Sequence, residues 1–156
     1  MNCSDPSAHP GCAACAAIDR QACAAAGRQA VIALGRGGYG TAAQAELGAL
    51  CEQLRVALPR THVASAYVDR ASPSLPEALD ACLQACSGIT QIIIQPMFVP
   101  VDNALLRWLE KVARRWRHRQ PDAAAAIRIV FAPPLGSLDG LGELLARHIG
   151  EAARRP

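Results

Sequence analysis

Aromatic residues are scarce in this chain. Two Trp, two Tyr and two Phe make up 4% of its 156 residues, although 51% are hydrophobic. The core must therefore be built from Ala, Leu, Ile and Val, a composition that suits helices packed on a buried parallel sheet. No apolar run reaches the roughly 18 residues of a membrane span, so no spanning helix is expected. The N-terminus carries Asp5 and lacks a basic stretch followed by an apolar core. It does not read as a secretory signal, and a cytoplasmic protein is expected. A net charge of +3 is too mild to point to nucleic acid by itself. The length suffices for one domain with its own core.

What is present has a clear order. Residues 1–28 are rich in Ala, Cys and small polar residues without a regular apolar period. The domain proper is expected over residues 29–156. Ala30–Leu34 is a short apolar run ended by Gly35, the pattern of a buried strand. Thr41 can cap a helix over about 42–58, where Ala45, Leu47, Leu50, Leu54 and Leu58 recur at helical spacing. His62–Val68 reads as the second strand. Ser74 precedes Leu75, Pro76 and Glu77, a capping-box form with Pro in the first turn, and Gly88 is the stop of that helix. Thr90–Met97 is the third strand, and Asp102 or Asn103 can cap a helix over about 103–119. Ile127–Ala132 and a helix over about 138–152 complete the pattern. Four β-α units with connections of this length demand parallel strands, with helices on both faces of the sheet. Ligands in such sheets bind outside the carboxyl ends of the strands.

Two local compositions stand out. Arg107, Lys111, Arg114, Arg115, Arg117 and Arg119 crowd one segment with only Glu110 among them. This is either a solvated helix face or a cationic surface for a polyanion. Trp108 and Trp116 lie eight apart in it and are expected to be partly buried; no recognition-helix motif accompanies them, so nucleic acid is not an expected partner. Seven cysteines are many for a chain read as cytoplasmic. Cys3, Cys12, Cys15 and Cys23 form C-x8-C-x2-C-x7-C, in which a C-x2-C pair lets two thiolates reach one metal. A [4Fe–4S] cluster, Zn²⁺ or a tail without ordered metal are the alternatives, and His9 could replace one thiolate. Cys51, Cys82 and Cys86 fall on helices and read as small buried hydrophobes.

The turn GRGGYG at Gly35–Gly40 has four glycines in six residues. It lacks the Gly-Lys-Ser/Thr ending of a P-loop, and its spacing does not fit Gly-x-Gly-x-x-Gly, which argues against nucleotide binding. Together with PSLPEAL at 73–79, IIIQPMF at 92–98 and APPLG at 132–136, it resembles the small class II tetrapyrrole chelatases, the CbiX family of sirohydrochlorin cobalt- and ferrochelatases. The resemblance covers about residues 30–150. It implies a chelatase-like α/β/α fold with a four-stranded parallel sheet, a sirohydrochlorin-type tetrapyrrole as ligand, Co²⁺ or Fe²⁺ as substrate metal, and a homodimer in the short members.

The resemblance also defines a departure. Family members usually carry Gly-His-Gly-Ser after the first strand, and that His binds the metal. Arg36 stands in its place here. A guanidinium has no lone pair for a metal, but it can hold a carboxylate bidentately. Arg36 therefore suits gripping the acetate and propionate arms of the macrocycle, with Gly37, Gly38 and Tyr39 beside it. The family's second His falls on Ala104 when counted from Pro96-Met-Phe98. A shift of one or two residues would place Asp102 there instead, or Asp102 is simply a helix cap. The acidic family position after the second strand falls on Asp69, which either handles metal and protons or only pairs with Arg70. Pro96, Met97 and Phe98 are expected to form part of an apolar wall. Two activities remain open at this point: metal insertion into a tetrapyrrole, or non-catalytic carriage or sensing of one.

Overall fold

The apolar run at Ala30–Leu34 becomes the central strand β1 (Gln29–Gly37) in the computed structural model, which describes residues 29–38, 40–86, 88–99 and 103–154. The chain continues through α1 (Thr41–Ala57), β2 (His62–Asp69), α2 (Leu75–Ala85) and β3 (Gln91–Pro96). It ends with α3 (Asn103–Arg119), α4 (Pro121–Ala125), β4 (Arg128–Phe131), a 3-10 turn at Leu135–Ser137 and α5 (Leu141–Ala152). The strands form one sheet in the order β2-β1-β3-β4, and every pair is parallel. The expected α/β fold is the observed one. Because β2 and β3 flank β1 on opposite sides, the order reverses between β1 and β3, and a crevice opens at their carboxyl ends.

Strand alternation sorts side chains onto two faces. Ile92, Ile94 and Pro96 of β3 are buried, while Gln91, Ile93 and Gln95 are half-buried. On one face Ile32, Leu34, Ile92 and Ile94 pack with Leu79 and Cys82 of α2 and with Leu109 and Trp116 of α3. On the other, Ala33, Val63 and Tyr67 meet Leu47 and Cys51 of α1. Each fully buried Leu or Ile here stabilises the fold by about 1.5–3 kcal/mol. The scarce aromatics are used where volume is needed. Trp116 is 0% exposed, so its expected partial burial is corrected to complete burial, and its indole N–H donates to Asp80 Oδ1 at 2.7 Å.

The capping box at α2 forms as its sequence implies. The Ser74 N–H and hydroxyl both donate to Glu77 Oε2, at 2.7 and 2.8 Å. Those two bonds, the backbone one foremost, hold the Glu77 carboxyl below its ordinary pKa. Four expectations shift. The strand β1 continues past Gly35 to Gly37, so Arg36 stands on the strand end rather than in a turn, because Gly35 and Gly37 pair with Tyr67 and Asp69 of β2. Gly40, not Thr41, occupies the cap position of α1 with an extended backbone. The short helix α4 was not legible as an element, although Pro121 suits a first helical position and Asp122 complements the helix dipole. The last helix starts at Leu141 rather than 138, because Gly140 adopts φ +80° immediately before it. No residue of α5 is buried, and Leu144, Leu145 and Ile149 on it are exposed. Among the described residues no helix is long and apolar enough to cross a membrane.

Candidate functional site at the carboxyl edge of the sheet

The carboxyl ends of the strands are tied together before any ligand is considered. The Met97 N–H donates to Leu34 O and the Ala132 N–H to Ile94 O, both at 2.9 Å. The Gln95 side-chain amide donates to Pro96 O at 3.0 Å and to Pro133 O at 3.2 Å. The Tyr67 N–H donates to Pro73 O at 2.9 Å, folding the loop after β2 back along its own strand. The Ser72–Pro73 peptide in this loop is cis.

Gly37 and Asp69 are register partners at the ends of β1 and β2. Gly37 has φ +86°, and a Cβ there would stand 2.9 Å from the Asp69 carbonyl carbon and closer still to its oxygen. Glycine is required at 37 on both counts. Gly38 has φ +155° and nothing within 4 Å of a Cβ, so it leaves open space beside the strand end.

This edge carries two adjoining cavities. The larger, about 490 Å³, is lined by Arg36, Val68, Asp69, Ala104, Leu105 and Trp108. The smaller, about 230 Å³, lies on the α1 side and is lined by Gly35, Arg36, Ala43, Glu46, Leu47, Leu50 and Met97. Arg36 belongs to both and stands between them. Asp69 makes an ion pair with Arg70 at 3.4 Å, with both side chains at least half exposed. Such a pair contributes little stability, which leaves the carboxylate available for other work.

The structure therefore brings Arg36, Gly37 and Asp69 together and adds Ala104, the position that counting from Pro96-Met-Phe98 assigns to the family's second histidine. It separates the rest of the expected apolar wall. Pro96 is buried, Met97 lines the smaller cavity beside α1, and Phe98 packs against the core on the opposite face of the sheet. Consecutive residues leaving a strand diverge in this way because successive side chains alternate in direction. Tyr39, Asp102 and the cysteines Cys3, Cys12, Cys15 and Cys23 lie outside the described residues. Among the described residues, no three His, Cys, Asp or Glu side chains gather as a metal site. Sequence reasoning missed Trp108 and Glu46 as lining residues. Trp108 is 46% exposed, and its spacing of four from Ala104 was the available signal.

The arrangement offers a cation, a carboxylate and an apolar indole around one opening. It can hold an anionic ring-bearing ligand and deliver or accept protons and cations at its rim. A search of curated proteins found no match. Among solved structures the fold is similar to the CbiX protein of Marinobacter aquaeolei VT8, assigned to cobalamin (vitamin B12) biosynthesis. The TM-score is 0.68 at 20% identity, over 81% of this chain and 96% of that one. It is also similar to the sirohydrochlorin chelatase SirB from Bacillus subtilis subspecies spizizenii, solved in complex with cobalt. There the TM-score is 0.64 at 22% identity, over 79% of this chain and 50% of that one. The match to the CbiX family model spans residues 30–152, most of the chain and every strand-end segment of the site, and the chain belongs to the CbiX family.

Proposed function

We propose that this chain is a tetrapyrrole chelatase that inserts Co²⁺ or Fe²⁺ into a sirohydrochlorin-type macrocycle. The observation that carries the reading is that Arg36 and Asp69 line one cavity at the carboxyl edge of a CbiX-family sheet. Arg36 grips a ring carboxylate through paired N–H donors. Asp69 passes the divalent metal to the ring and accepts a pyrrole proton, which it releases to water. As the metal enters, two pyrrole N–H protons leave, so charge and protons balance. Apolar residues Val68 and Leu105 exclude water from one side of the ring.

Titration of anaerobically purified protein into sirohydrochlorin and Co²⁺, followed by absorption, tests this directly. Conversion to the metallated spectrum faster than in the protein-free control is expected. A second reading, a non-catalytic carrier or sensor, is favoured by one observation: neither Arg36 nor Ala104 can ligate a metal. It would give a saturable spectral shift without insertion.

A symmetric homodimer belongs to this reading. It is supported by the coverage of half of the SirB chain and by the exposed Leu144, Leu145 and Ile149 on α5. Light scattering on the eluting protein, with Leu145→Asp as the disrupting variant, tests it. A [4Fe–4S] cluster or zinc at Cys3, Cys12, Cys15 and Cys23 rests on spacing alone, and metal analysis of the anaerobic protein tests it.

A further inference from the structure

We propose that Trp108 is the platform on which the tetrapyrrole ring is seated, stacking against one face of the macrocycle. The proposal rests on the tetrapyrrole reading of the site and adds a ring-binding residue to it.

Three observations carry it. First, the two tryptophans of α3 have opposite fates. Trp116 is 0% exposed and its N–H is bonded to Asp80, whereas Trp108 is 46% exposed. Trp108 thus presents an indole to solvent, where the face of a flat ligand can reach it. Second, Trp108 lines the same cavity as Arg36 and Asp69, so the indole, the cation and the carboxylate face one opening. A flat ring with carboxylate arms matches that combination: its face against indole, its rim on Arg36. Third, Ala104 precedes Trp108 by four residues and Leu105 by three, so all three are neighbours on one helix surface and line that cavity together. An imidazole at 104 would compete for the space in front of the indole, whereas a methyl group leaves it open.

The test is binding of metal-free sirohydrochlorin to the full chain, read by two signals. Ring absorption reports binding independently of tryptophan, and indole fluorescence reports proximity to the ring. Trp108→Ala is expected to weaken ring binding about 10- to 100-fold. Trp108→Phe, which keeps a flat ring, is expected to recover most of that affinity. In Trp116→Phe the ring should still quench fluorescence, because the remaining indole is the one in the cavity. Circular dichroism checks that Trp108→Ala folds; if it does not, Trp108→Leu, which keeps an apolar side chain without a flat ring, decides. Wild-type protein that binds the ring with an affinity unchanged in Trp108→Ala, or with no quenching in Trp116→Phe, overturns the assignment of Trp108 and leaves the reading of the site standing. Equal loss in Trp108→Ala and Trp108→Phe also overturns it. Absence of ring binding by the wild type overturns both.

Discussion

Gly37 lies against the backbone carbonyl of Asp69 so closely that no side chain fits between the ends of β1 and β2. The contact fixes where Asp69 stands relative to Arg36, the residue immediately before Gly37. Gly37→Ala should therefore cost about 2–4 kcal/mol, combining a left-handed backbone with a backbone clash. Gly38→Ala, at the next position but facing open space, should cost about 1 kcal/mol. Urea unfolding of the two variants checks the difference.

Arg36 and Asp69 are assigned different tasks, and their variants should separate them. Arg36→Met is expected to weaken macrocycle binding about tenfold by removing a charge-assisted contact. Asp69→Asn is expected to leave ring affinity unchanged and lower the rate of metal insertion about 100-fold. Binding titrations alongside insertion rates read both effects. Equal losses in affinity from the two variants would contradict the division of roles.

Arg36 and Ala104 line one cavity, so a pair of imidazoles can be introduced there together. Arg36→His with Ala104→His should create a site that binds Co²⁺, because neutral imidazole suits this metal. Calorimetry with Co²⁺ should show binding in the double variant beyond that of the parent chain. Because the imidazole at 104 also crowds Trp108, ring binding in the double variant should be weaker than in the parent chain.

Asp80 and Trp116 tie α2 to α3 through one buried indole N–H. Asp80→Ala leaves that donor without its partner and should destabilise the protein by about 1–3 kcal/mol. Asp80→Asn keeps an acceptor oxygen and should be close to neutral. Thermal melts of both variants distinguish the bond from the mere presence of a charge.

Burial in the core pushes the Cys82 thiol up to about 12, from an ordinary 9.0. The folded state thus holds the neutral thiol while the unfolded chain ionises it. Its contribution is fully present below pH 9.0 and is lost as pH rises toward 12. Cys82 should contribute a fall of about 1.4 kcal/mol for each pH unit in that window, to which Cys51 and Tyr67, also pushed up by burial, add. Cys82→Ala should make the slope shallower, and urea unfolding at a series of alkaline pH values measures it.

Much of the architecture was legible because it is written locally. The apolar runs from Ala30 and from Thr90, the helical spacing after Thr41, and Ser74 with Glu77 are short-range patterns that located their elements, although β1 runs past Gly35 to Gly37 because its end pairs with β2. The short helix at Pro121–Ala125 and the late start at Leu141 were not legible, since one depends on a five-residue stretch and the other on the conformation of Gly140. The site was legible in part. Arg36, Asp69 and Ala104 could be placed on one edge by topology and motif. Met97 and Phe98 could not be assigned to opposite faces without the strand's final direction.

The sequence by itself determined that this is a parallel α/β domain of CbiX type with Arg36 after its first apolar run. These features follow from residue identity and spacing, which survive in any drawing of the chain. Only the tertiary structure decided that Gly37 must be glycine for the sake of Asp69, 32 positions away. It also decided that Trp108 shares a cavity with Arg36 while Trp116 is sealed in the core. Both depend on how α3 is rotated on the sheet and how β1 pairs with β2. Those relationships arise from the packing of distant segments, which no local pattern records.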